Sequence, residues 1–105
     1  MYNIPGYNAY NYCRTDKSGG GIILYIRNKF EFRPKSFQSL HFENITGNLI
    51  LQDKTKVNIK AIYRPPNFSK SSFLTELSSY LDTINSKENI ILLGDINLNL
   101  LNDQD

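Results

Sequence analysis

The sequence predicts a layered α/β or α+β sheet domain, and three observations carry that prediction. Val57–Tyr63 (VNIKAIY) alternates apolar and polar residues over most of its length, as a half-covered strand does. An amphipathic helical stripe follows within residues 71–86, and Asn89–Leu93 then reads as a strand buried on both faces. Strands, then a helix, then a strand describe a sheet with one clear covering helix.

The elements follow in order. Residues 1–13 are rich in Tyr and Asn, with Pro5-Gly6 as a turn and Tyr7–Tyr12 as a short strand. Arg14–Gly21 (RTDKSGGG) is a glycine-rich connection into GIILYIR, Gly21–Arg27, a β-branched apolar strand. Residues 31–37, near Pro34, form another short strand. Residues 40–52 contain an alternating stretch, Asp53–Lys56 (DKTK) turn the chain, and Val57–Tyr63 complete a hairpin. Val57, Ile59 and Ala61 share its covered face, with Asn58 and Lys60 opposite. Pro65-Pro66 end the strand, because proline cannot donate to a ladder. Phe73, Leu74, Leu77, Tyr80, Leu81 and Ile84 recur at helical spacing, and Ser69 or Ser71 can cap the start. Strands apolar on both faces need cover on both sides, and one helix covers one side. The chain is therefore expected to dimerise or to be a piece of something larger.

The totals narrow the class without choosing a function. The chain has 105 residues, enough for one small domain. Twelve Lys and Arg against ten Asp and Glu leave a net charge of +2, compatible with a polyanionic partner but far from a dense electrostatic nucleic-acid footprint. Cys13 is the single cysteine, which excludes an intrachain disulfide and points to a reducing compartment. The sequence has no apolar run of about 18 residues, so no membrane span is expected. The opening MYNIPGYNAYNY lacks the basic and apolar regions of a secretory signal.

Chemistry-bearing residues gather at predicted strand ends. Tyr63-Arg64-Pro65-Pro66 close the hairpin strand, and Gly94-Asp95-Ile96-Asn97 close the last one. If the two strands are parallel neighbours joined by the helix, Tyr63, Asp95 and Asn97 meet at one sheet edge, where open α/β sheets place their sites. An aspartate there can orient or deprotonate a water, an asparagine amide can hold a phosphoryl oxygen, and a phenol can stabilise growing charge. The plainer alternative is that Asp95 and Asn97 satisfy a turn. Arg64 is a candidate phosphate contact or a solvated strand-end arginine. Lys17 with its glycines is a candidate backbone-donor loop or a plain turn. Tyr7, Tyr10 and Tyr12 can stack on bases or pack on a sheet. His41 is expected at the surface or half-buried, since no second ligand stands at metal-site spacing. Cys13 reads as a small buried residue, and Asp103 and Asp105 as stray carboxylates at a chain end.

The pair YRPP and GDIN, separated by an amphipathic helix of this length, resembles the endonuclease/exonuclease/phosphatase superfamily. More narrowly it resembles the apurinic-type endonuclease domain of non-LTR retrotransposons. The same family pattern includes Arg14, Lys17 and Gly19–Gly21 ahead of IILYI, and the NLL of Asn99–Leu101. The resemblance runs from about Ile4 to Leu101. It implies a partial four-layered α/β sandwich of the deoxyribonuclease I type and Mg²⁺-dependent (or Mn²⁺-dependent) hydrolysis of DNA phosphodiesters. Asp95 then matches the residue that orients the attacking water, Asn97 the phosphate contact, and Tyr63 the transition-state support. Arg64 and Lys17 become candidate contacts to the DNA backbone. The implied partners are DNA, the remainder of the domain and a reverse transcriptase domain, and the implied setting is intracellular and nuclear.

The chain departs from the family at both ends. The upstream Asn strand, the metal-binding Glu and the downstream Asp-His pair have no counterpart, and GDIN stands where the family has GDFN. Residues 1–105 are thus expected to be a single incomplete domain, without a metal ligand of its own and inactive alone. The rival expectations are a non-catalytic remnant or weak nucleic-acid-binding module, and a phosphatase of the same superfamily.

Overall fold

The computed structural model describes residues 3–12 and 21–97. It is a mixed α/β fold of two sheets and one helix, in the order β1 (Tyr7–Tyr12), β2 (Ile22–Arg27), β3 (Glu31–Lys35), β4 (Glu43–Ile50), β5 (Lys56–Tyr63), α1 (Lys70–Asp82) and β6 (Asn89–Asp95). β1 and β2 pair antiparallel as a two-stranded sheet, and the second sheet runs β3-β4-β5-β6. Its first two pairings are antiparallel and β5–β6 is parallel, with α1 as the crossover. Cys13, Arg14, Lys17, Gly19, Asn99–Leu101, Asp103 and Asp105 lie outside the described residues. No helix among the described residues is long and apolar enough to cross a membrane.

Each face of the larger sheet has its own core. On one face Ile45, Ile59 and Ala61 pack with Phe32 and with Ile26, Tyr10 and Leu24 from the β1–β2 layer. On the other, Phe42 and Ile62 pack under Phe73 of α1, with Leu74 and Leu77 beside it. Phe73 is fully buried, which makes it the anchor of the helix. Ser69 caps α1, its hydroxyl accepting from the Ser72 N–H at 3.2 Å. Pro34 sits in β3, an outer strand whose missing donor costs no ladder bond on the open side. Gly47 lets Phe32 lie across β4, since a Cβ there would meet the Phe32 ring at 2.6 Å.

The structure differs from three expectations. Lys60 is not on an open face. It is fully buried beneath α1, because the helix covers the side opposite Ile59 and Ala61. Its ammonium sits 3.5 Å from the centroid of Phe37 and 4.1 Å from that of Tyr80, and donates to Thr46 Oγ1 at 2.7 Å. The strand before Asp95 is likewise not buried on both faces: Ile91, Leu92 and Leu93 are 44%, 43% and 46% exposed. β6 is an outer strand, and the β1–β2 layer packs chiefly on β4 and β5. The helix is also shorter than its apolar stripe, ending at Asp82 with Ile84 in the following turn.

Burial pulls the Lys60 ammonium down to about 8 from its usual 10.5, against an opposing pull from the Glu76 charge. Below about pH 8 both folded and unfolded chains are protonated here, and the cost of the buried charge is constant. Between about pH 8 and 10.5 the unfolded chain binds the proton more tightly, so stability rises with pH. The aromatic faces favour the charged form and reduce the effect. Unfolding free energy, measured by urea denaturation, should rise by up to about 2 kcal/mol from about pH 7 to about pH 9.5, relative to Lys60→Met over the same range. Parallel profiles for the two proteins would refute the assignment.

Candidate functional site

β5 and β6 end together. In their parallel register Tyr63 is the direct partner of Asp95, and Ile62 of Gly94. The preceding pairing of β4 with β5 sets Glu43 opposite Tyr63. Glu43, Tyr63 and Asp95 thus form one row across three strands, on the face that β5 shares with Ile59 and Ala61. Neighbouring strands lie about 4.8 Å apart, so Tyr63 stands between two carboxylate-bearing positions. Asp95 is exposed, Tyr63 half-buried and Glu43 buried. Sequence reasoning missed Glu43. A signal existed, because Glu43 shares the parity of Ile45, and an acid on the buried parity of a strand needs a reason.

Backbone geometry fixes the turn after β6. Gly94 has φ +147°, and a Cβ at that position would overlap the Ile62 carbonyl. Asn97 has φ +52°, a left-handed conformation that asparagine tolerates better than most residues. Its N–H donates to Asp95 Oδ1 at 3.2 Å, closing an Asx turn. The turn reading of these residues is thus realised in geometry, and the same turn stands at the rim beside Tyr63.

Arg64 ties this turn to β5. Its N–H donates to the Asp95 carbonyl at 3.0 Å. Its guanidinium donates from Nε to the Ile96 carbonyl at 2.7 Å and from Nη2 to the Asn97 carbonyl at 2.7 Å. Nη1 donates to the Phe68 carbonyl at 2.6 Å, and Asn97 Nδ2 donates back to the Arg64 carbonyl at 2.7 Å. Arg64 is 4% exposed, with Phe73 beneath it. The candidate role as a backbone-phosphate contact thus meets a different placement: the fork is turned inward on main-chain oxygens, and its geometry is that of a positioning residue.

The described residues bring Tyr63, Asp95 and Asn97 to one rim, with Arg64 behind them. Lys17 lies outside the described residues. A cleft of about 500 Å³ opens beside the rim, walled by Ile22, Ile23 and Leu24 of β2 and by Tyr63, Leu93 and Asp95. Of the three early tyrosines, Tyr10 packs edge-on against Phe32 at 4.8 Å, Tyr7 accepts from Arg27 Nε at 3.3 Å, and Tyr12 stays 40% exposed. His41 is half-buried, its Nδ1 2.7 Å from Glu76 Oε1, on the helix side of the sheet. Among the described residues no three His, Cys, Asp or Glu side chains gather at metal-binding spacing. Asp95 is the one exposed carboxylate of the rim among the described residues, and an Mg²⁺ ion held by it would take its remaining donors from further carboxylates, substrate phosphates and water.

Searches of protein-family models, of curated proteins and of solved structures find no match to this chain.

Arg64→Lys keeps the charge but cannot span three carbonyls. It should lower unfolding free energy by about 2 kcal/mol or more and speed hydrogen exchange at the Arg64 and Asn97 amides. A variant within about 0.5 kcal/mol of wild type, with unchanged exchange, would show that the fork does not hold the turn.

Proposed function

We propose that this chain is the central part of a phosphodiester-hydrolysing domain of the retrotransposon endonuclease type, acting on DNA. The observation that carries the reading is the register pairing of Tyr63 with Asp95, with Asn97 tied to the same rim through Arg64. Three polar groups of different chemistry at the ends of two parallel strands suit an in-line attack on phosphorus. Asp95, exposed and with Oδ1 accepting from the Asn97 N–H, can orient a water and accept its proton. Asn97 keeps a second amide N–H beyond the one given to the Arg64 carbonyl, and this can donate to a phosphoryl oxygen. The Tyr63 phenol, on the register partner of Asp95, can stabilise charge that grows on the transferring group. In the complete reaction the water oxygen bonds to phosphorus, the ester P–O bond breaks, and the leaving oxygen takes a proton from solvent.

The domain would act with Mg²⁺ or Mn²⁺, and the described residues do not assemble that site. The chain is expected to be inactive alone. The finer fold, a partial four-layered sandwich, is part of the same proposal. The partly exposed apolar side chains of β6, Ile91 and Leu93 on one face and Leu92 on the other, support it, since exposed apolar surface on both faces of a strand suits cover by further protein.

Titration with a duplex oligonucleotide should shift the amide signals of Asp95, Ile96 and Asn97 in a salt-dependent way. An inositol phosphate at equal phosphate concentration should shift them less, which separates a nuclease from a phosphatase. Plasmid nicking in Mg²⁺ that persists in Asp95→Ala does not come from this rim. A titration that leaves all three amides unmoved would end the reading.

A further inference from the structure

A second cavity, of about 490 Å³, lies where β4 begins and the segment 36–42 crosses in front of it. Its walls combine aromatic rings, Tyr12, Phe37 and Phe42, with side-chain amides, Gln38 and Asn44. Phe37 and Phe42 lie nearly parallel, 20° between planes with centroids 6.0 Å apart. Phe37 also borders the buried Lys60 ammonium, at 3.5 Å from its centroid. A hydrogen-bonded chain links that cation to the cavity wall: Lys60 Nζ donates to Thr46 Oγ1 at 2.7 Å, and Thr46 Oγ1 to Asn44 Oδ1 at 2.6 Å.

The walls are fixed from behind. Asn44 Nδ2 donates to the Phe37 carbonyl at 3.0 Å, which orients the amide and leaves its second N–H for another acceptor. Ser39 Oγ donates to Glu76 Oε1 at 2.5 Å and accepts from the His41 and Phe42 amides at 3.0 and 3.2 Å. Gln38 is exposed and makes no side-chain hydrogen bond with the other described residues.

We infer that this cavity binds a nucleobase, stacked on the partly exposed Phe37, which the buried Phe42 backs from the core, and read at its edge by the Asn44 and Gln38 amides. Aromatic rings that accept the face of any base, joined to amides that offer both a donor and an acceptor, are the means by which unstacked bases are held. The Lys60 ammonium behind the wall adds a positive field favourable to the attached phosphate. Asn44 is the register partner of Ile62, which pairs with Gly94, so the cavity wall belongs to the helix face of the sheet, while Tyr63 and Asp95 belong to the opposite face at the same edge. A strand that engages both must pass around that edge. The inference rests on the phosphodiesterase reading for the choice of a nucleobase over another planar ring.

The test uses the full chain and two labelled single-stranded octanucleotides of equal charge, one of mixed sequence and one in which every nucleotide is an abasic analogue. Binding is followed by fluorescence anisotropy and by amide and aromatic NMR shifts. The base-bearing strand should bind about tenfold more tightly and shift Gln38 and Phe37 signals. Gln38→Ala, at an exposed position, and Phe37→Leu should remove that preference, whereas Asp95→Ala should keep it. A nucleoside monophosphate shifting the same signals shows that the base suffices; one that does not, while the strand does, assigns the cavity to a base within a polymer. Equal affinity for the two strands, or a preference that survives both cavity variants, overturns the inference. If equal affinity comes with shifts at Asp95 and Asn97, the phosphodiester reading stands without the pocket. Failure of both strands to bind overturns the pocket and removes support from that reading too.

Discussion

The inward-turned fork of Arg64 is the interaction on which the candidate site depends. β6 is an outer strand with little cover, and the turn after it contains a left-handed asparagine. Such a turn is easily lost unless something over-determines it. Arg64 does so from β5, with guanidinium bonds to the Ile96, Asn97 and Phe68 carbonyls. The Asn97 amide returns a bond to the Arg64 carbonyl, so side chain and main chain close a loop between the two strand ends. An arginine can do this where a lysine cannot, because its donors point in fixed, divergent directions. The fork also needs a dry seat, which Phe73 of α1 provides. Helix packing, strand pairing and rim geometry are thus one structure rather than three.

Much of this was legible in the sequence. The alternation in Val57–Tyr63, the helical stripe through Phe73 and Leu77, and the apolar run before Gly94 each predicted the right kind of element. The placement of Tyr63 beside Asp95 followed from one topological step, a helix joining parallel neighbours. What escaped was partnership across elements. The alternation puts Lys60 on the polar side of its strand, yet α1 lies on that side, and Phe37 and Tyr80 come from outside the strand to enclose the ammonium. The apolar run at β6 indicated two buried faces, yet burial depends on what lies above and below, and the β1–β2 layer packs chiefly on β4 and β5. Arg64 read as a phosphate contact or a solvated strand-end cation, because its acceptors are main-chain oxygens, which no side-chain pattern announces.

The two-faced sheet sorts the chemistry. On the β1–β2 side, the row Glu43, Tyr63, Asp95 opens onto the cleft walled by Ile22–Leu24. On the helix side, Lys60, Thr46 and Asn44 form a polar thread through an otherwise aromatic layer, and that thread ends at the second cavity. Both features lie at the edge where β4 starts and β5 and β6 stop. A sheet edge of this kind carries a polar rim on one face and an aromatic recess on the other.

The most direct measurement is of the Arg64 Nε–H by NMR in the folded chain. A hydrogen bonded to the Ile96 carbonyl and shielded under α1 should exchange slowly with water. It should also give cross-strand nuclear Overhauser contacts to the main chain of Ile96 and Asn97. An Arg64 signal that exchanges at the rate of a free side chain, without those contacts, would mean that the strand ends are not bound together, and the shared rim of Tyr63, Asp95 and Asn97 would lose its basis.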